Sequence, residues 1–160
     1  MFPIEDPKFI IDLELKFFRP ELIEFMAYWH AKCGVRPFPS RKDIVPREIE
    51  RLLPWINMYD IVDGGKEFRV RLIGTALSDA LGGGDYSGKP VSELPQLLSK
   101  RIQRGINLVL KNRALLRTYA IESAIPGQDF QGNESCLAPL STNGADIDMI
   151  IVVAILQNRK

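Results

Sequence analysis

Residues 55–73 read Trp-Ile-Asn-Met-Tyr-Asp-Ile-Val-Asp-Gly-Gly-Lys-Glu-Phe-Arg-Val-Arg-Leu-Ile, and how they fold decides the architecture. Two runs rich in β-branched and aromatic residues, 55–62 and 67–73, flank Asp63-Gly64-Gly65-Lys66. Glycine takes positive φ without steric cost, so this quartet suits a tight reversal between two antiparallel strands. In the second strand Phe68, Val70 and Leu72 alternate with Arg69 and Arg71. Alternate side chains face opposite ways. If the apolar set packs inward, both arginines face solvent or a helix. In the other register Arg71 lines the interior, where its guanidinium could pair an anion bidentately.

On the N-terminal side the periodicity changes. Pro54 stops a short helix that Pro46 opens and that runs through Leu53, with Glu48 and Glu50 near its positive end. Pro37 and Pro39 enforce an extended linker before it. Earlier still, Leu22, Phe25, Met26, Trp29 and Cys33 fall at i, i+3, i+4, i+7 and i+11, one stripe of an amphipathic helix. Pro20 suits its first position and Gly34 its end. In residues 8–18, Ile11, Leu13, Leu15 and Phe17 alternate with Asp12, Glu14 and Lys16, which is strand period. Glu, Leu and Lys also favour helix, so both readings stay open for this segment.

On the C-terminal side, short helical turns over 75–81 precede Gly82-Gly83-Gly84, and a long helix spans about 95–113. Strands follow at 114–124, 134–140 and 147–156, joined through the turn formers Pro126-Gly127 and Asn143-Gly144. The expectation is α+β: a five-stranded antiparallel sheet with helices on one face and an N-terminal helical extension. One domain covers 1–160, with an arm and helices over 1–53 and the core over 54–157.

Composition narrows the function. The chain has 160 residues, 46% hydrophobic and 26% charged, which suits one globular domain. A formal net charge of +1 argues against nucleic acid as a partner. Cys33, Cys136 and His30 do not make a metal-ligand pattern, so no metal is expected; the cysteines read as buried free thiols and His30 as half-exposed. Glu5, Asp6 and Asp12 are wrong for a secretory leader, and the apolar run 149–156 is too short to span a bilayer. A cytoplasmic location is the expectation.

Five stretches, in order and compatibly spaced, resemble a bacterial family of stand-alone PAS-like proteins. They are Pro39-Ser40-Arg41-Lys42-Asp43-Ile44-Val45-Pro46, Leu52-Leu53-Pro54-Trp55-Ile56, Phe68-Arg69-Val70-Arg71-Leu72-Ile73-Gly74-Thr75, Gly84-Asp85-Tyr86-Ser87-Gly88-Lys89-Pro90-Val91, and Pro139-Leu140-Ser141 through Asp148. The resemblance implies a cupped sheet whose inner face and helices enclose a small pocket. It also implies sensing of a small molecule, dimerisation or docking of a signalling partner. No ligand or catalytic set transfers from it. Because no kinase, cyclase or DNA-binding module follows, the output is expected to pass through a separate signalling protein or through a homodimer. The expected strand order runs from 67–73 at one edge through 55–62, 147–156 and 134–140 to 114–124.

The candidate pocket residues are Met58, Leu72, Tyr86, Ile106, Tyr119 and Met149, drawn from elements that such an arrangement brings together, with the two tyrosines as polar groups. The candidate partner surfaces are two. Lys100, Arg104 and Lys111 lie within about 40° of one another on the long helix, opposite Leu98, Ile102, Ile106 and Val109. Arg101, Arg113 and Arg117 add charge nearby. Phe25 and Trp29 offer an apolar helix face to a second copy, or else cover the sheet within the same chain. Gly82-Gly83-Gly84-Asp85-Tyr86 lacks the Gly-Lys-Ser/Thr ending of a phosphate loop. No Gly-x-Ser-x-Gly elbow occurs, and Asp60 with Glu122 would pair only if their strands approach. Binding rather than catalysis is therefore expected. The alternatives are a ligand-free scaffold and, more distantly, a small enzyme on a cone-shaped α+β fold.

Overall fold

The computed structural model describes residues 6–125, 127 and 130–158. Six antiparallel strands form one sheet: β1 (Phe9–Asp12), β2 (Ile56–Val62), β3 (Glu67–Leu72), β4 (Leu116–Ala120), β5 (Phe130–Leu140) and β6 (Met149–Asn158). Their spatial order is β1-β4-β5-β6-β2-β3. The five strands expected from the sequence stand in the expected order, and β1 adds a sixth at the β4 edge. The helices are α1 (Pro20–Cys33), α2 (Thr75–Ala80) and α3 (Gln96–Asn112).

Local chemistry explains most boundaries. Gly64 and Gly65, at φ 69° and 107°, close the β2–β3 hairpin. Arg69 and Arg71 are exposed while Phe68 and Val70 are buried, the outward register; Leu72, expected inward with them, is exposed at the end of the strand. Residues 8–18 follow strand period for only the first part of their length. The Asp12 carboxylate accepts the backbone N–H groups of Glu14 at 2.8 Å and Lys16 at 2.9 Å. That local bonding bends the chain out of the sheet, and Leu15 takes φ 59°. Residues 46–53 do not form an α-helix. Pro46–Trp55 winds as 3-10 turns interrupted at Ile49, because Pro54 removes a donor and only Ile49 and Leu52 bury a side chain. Pro126, half of the expected Pro126-Gly127 turn, lies outside the described residues, as does Glu5.

The helices divide between the two faces of the sheet. On α1 the stripe Leu22, Phe25, Trp29 and Cys33 is buried, and the Trp29 indole N–H donates to the Pro139 carbonyl at 2.9 Å. This packing corrects the assignment of Phe25 and Trp29 to a partner. They are 0% and 5% exposed, spent on their own sheet, which buries more apolar area than an open arm would. On the other face α3 approaches β5 closely at Gly105, where an added Cβ would sit 2.8 Å from a Leu137 methyl. Both cysteines are buried and free.

Candidate functional site

The face of the sheet beneath α2 and α3 is built in cross-strand rows. Phe9, Ala120, Asn133 and Leu156 form one row, and Thr118, Ser135 and Ala154 the next. Leu137, Val152 and Asn57 form the third. Side chains directly opposite across strands lie on the same face. Thr118, Ser135, Ala154 and Ala120 are all short, so the sheet cannot fill the space below the helices. What remains is a cavity of about 80 Å³, closed above by Leu77 of α2 and by Leu98, Arg101 and Ile102 of α3.

Most of the wall is apolar, with a few fixed polar groups. The Asn57 amide oxygen is engaged by the Gly74 N–H at 2.9 Å, tying β2 to the start of α2. Arg101 is the charge in the wall, 6% exposed. Its Nε donates to Asp6 Oδ2 at 2.7 Å and its Nη1 to the Glu122 carbonyl at 2.9 Å, with the Phe9 ring 5.4 Å away. The Arg101 hydrogen bond holds the Asp6 carboxyl below the usual aspartate range, against a smaller opposing effect of burial. Arg101 was grouped in the sequence with an outward basic run. One residue beyond Lys100 is a rotation of about 100°, enough to turn it inward.

The six residues proposed for the pocket do not line this cavity. Met58 and Tyr119 are each one residue, and Met149 three residues, from the nearest lining position on their strands, and an odd offset puts a side chain on the opposite face. Tyr119 there meets the Phe18 ring edge-on at 5.8 Å. Met58 and Leu72 instead border a separate apolar groove with Ile49, Leu53 and Ile73. Ile106 is wholly buried in the core, and Tyr86 is half-buried in its loop under Lys89. The signal that would have found the site is the spacing of small residues, Thr118-x-Ala120 and Asn133-x-Ser135, on facing strands.

Lys100, Arg104 and Lys111 are exposed, and the described residues offer none of them an ion pair. Arg117 is buried and pairs with Glu134 and Asp12, so it does not extend that face. Arg113 caps the end of α3 and donates to the Ala145 carbonyl. Asp60 and Glu122 do not pair. Asp60 sits on β2 and is held above the usual range by burial, Arg71 opposing and Asp148 adding to it. Glu122 follows β4, which β5 and β6 separate from β2, and binds Lys8 at 2.8 Å. His30 is exposed on α1. Among the described residues no cluster of His, Cys, Asp or Glu could hold a metal ion, and no helix is long and apolar enough to cross a membrane.

A six-stranded antiparallel sheet, with helices over a small-residue hollow, is matched by a family model described as the PAS domain over residues 17–153. The chain belongs to the PAS domain family. The match begins before α1, so the helix behind the sheet lies within the PAS region. Solved structures agree in fold. A sensory box sensor histidine kinase from Vibrio cholerae superposes with a TM-score of 0.51 at 12% identity, covering 71% of this chain and 92% of that one. An RNA-binding light-oxygen-voltage receptor gives 0.50 at 14% identity, covering 72% of this chain and 34% of the receptor. No curated protein sequence matches the chain. PAS domains are sensory and signalling modules, generally without catalytic activity of their own.

Proposed function

We propose that this PAS domain is a cytoplasmic sensor that holds a small molecule in the cavity between the sheet and α2–α3 and signals its occupancy to a separate protein. The observation that carries this reading is the row Thr118–Ser135–Ala154, where short side chains leave a hollow in an otherwise densely packed interior. Apolar walls with a few placed polar groups are what a small-ligand site needs. A homodimer fits the reading only through surfaces other than the Phe25–Trp29 stripe, which the sheet occupies.

The test compares wild type with Ala154→Leu, which fills the hollow from its floor. A thermal-shift screen of small organic molecules should find compounds that raise the wild-type Tm by several degrees through mass action. The same compounds should leave Ala154→Leu unmoved. If every stabilising compound acts equally on both proteins, the cavity is not the site. A ligand-free scaffold is the second reading, favoured by the modest volume of about 80 Å³. It requires Ala154→Leu to gain stability and keep full partner binding.

A further inference from the structure

We infer that the cavity takes a small organic anion, whose carboxylate replaces Asp6 on Arg101 and thereby loosens β1 from the sheet edge. This inference rests on the cavity being a ligand site and adds the ligand's chemical class and the element that moves. A guanidinium in an apolar wall is costly unless an anion pairs with it. Here the anion is supplied by Asp6, 95 residues away in sequence, on the segment leading into β1. The Asp6 side chain is 25% exposed and the Arg101 side chain 6%, so the carboxylate is the accessible half of the pair. The planar guanidinium fork matches any carboxylate, and exchanging one for another keeps Arg101 neutralised.

Size and wall chemistry limit the rest of the ligand. The hollow, about 80 Å³, is roughly half the 150 Å³ at which an apolar cavity accepts benzene. A short aliphatic chain against Leu98, Ile102 and Leu156 fits, with the carboxylate at Arg101. The same wall contains Phe9, the first residue of β1. That strand is only four residues long and lies at the sheet edge. Arginine–aspartate pairs clamp it at both ends, Arg101–Asp6 at 2.7 Å and Arg117–Asp12 at 3.2 Å. A short edge strand held this way sits at the low-stability end of a fold, where loss of one clamp changes local opening. A neutral ligand of the same shape would leave the clamp closed.

The probes are sodium butyrate and 1-butanol, titrated at constant ionic strength into isotope-labelled protein and followed by NMR at the Arg101 Nε–H, the Ala154 methyl and the β1 amides. Butyrate is expected to bind and to speed amide exchange at Ile10–Asp12 by tenfold or more at saturation, while 1-butanol binds without that effect. Asp6→Asn should tighten butyrate about tenfold by removing the internal competitor. Arg101→Gln should lose butyrate and keep 1-butanol. Entry of 1-butanol without butyrate, in both wild type and Asp6→Asn, would overturn the inference and leave the cavity reading standing. Butyrate binding that survives Arg101→Gln, or that leaves β1 exchange unchanged, would overturn it as well. Failure of both probes to shift the Ala154 methyl would count against the cavity reading itself.

Discussion

Arg117 donates from Nε to Glu134 Oε2 at 2.7 Å between neighbouring strands, with the two residues only 6% and 3% exposed. Glu134 is also the anchor for the chain entering α1, accepting the N–H groups of Phe18 at 2.9 Å and Arg19 at 2.8 Å. Arg117 reaches Asp12 on its other side and lies 4.6 Å from the centre of the Phe18 ring. The pair thus joins β1, the start of α1 and the middle of the sheet on the face away from the cavity. One Arg117 nitrogen, Nη2, is buried, and no acceptor among the described residues reaches it.

Glu134→Ala is therefore expected to destabilise the domain by about 3–5 kcal/mol, because it leaves a buried guanidinium with Asp12 as its one remaining carboxylate and takes the acceptor from two helix-entry N–H groups. Urea unfolding measures it. The double variant Arg117→Met with Glu134→Leu should recover part of the loss, since the guanidinium leaves together with the carboxylate and Asp12 keeps the Glu14 and Lys16 N–H groups as donors. A single variant as stable as wild type would show that the pair contributes nothing.

Acid should loosen β1 before the rest of the sheet. Asp6 is held below the usual aspartate range by its hydrogen bond to Arg101. Asp12 is lowered too: burial opposes ionisation, but the Lys16 and Glu14 N–H groups and Arg117 outweigh it. A folded pKa below the unfolded one, about 3.9, contributes stability that is present above that value and lost as pH falls through the folded pKa. Amide exchange at Ile10 and Ile11, corrected for intrinsic rates, should rise below about pH 4 while β5 and β6 stay protected. In Asp6→Asn the Arg101 end of the effect should vanish.

Gly74→Ala and Gly105→Ala should differ sharply, although both glycines sit in close contacts. A Cβ at Gly74 would lie 2.6 Å from two backbone carbonyl oxygens, those of Ile56 and Pro54, which cannot swing aside. Overpacking of about 1–3 kcal/mol is expected, read as a clear fall in Tm. At Gly105 the obstacle is a Leu137 methyl, which can rotate away, and alanine also favours helix. Gly105→Ala should therefore cost less than Gly74→Ala; equal falls in Tm would contradict the distinction.

Changing Lys100, Arg104 and Lys111 together to glutamine should leave stability within about 0.5 kcal/mol of wild type, because exposed charges contribute little. If this face docks an anionic partner, the variant should bind it more weakly and with a flatter dependence on salt. Unchanged binding at low salt in a pull-down with that partner would assign the face to solvent.

Features settled by neighbouring residues were legible in the sequence. Gly64-Gly65 specifies its hairpin through positive φ, and the Leu22–Phe25–Trp29–Cys33 stripe specifies a helix through a 3.6-residue period. The order of strands 55 onward follows from the hairpin and the succession of elements. The site was not legible in the same way. Strand β6 carries Met149, Ile150, Ile151, Val152, Val153, Ala154 and Ile155, apolar on both faces, so its pattern does not say which side chains face the helices. That choice was made by register across strands, which sets Ala154 beside Ser135 and Thr118 and puts Met149 and Tyr119 on the far face. Arg101 reads as one cation in a basic helix until the fold brings Asp6 to within 2.7 Å of it. Turns and helical stripes are local, and the chain carries them in its order. A cavity and a buried ion pair need residues far apart in sequence to meet, and only tertiary packing decides which ones do.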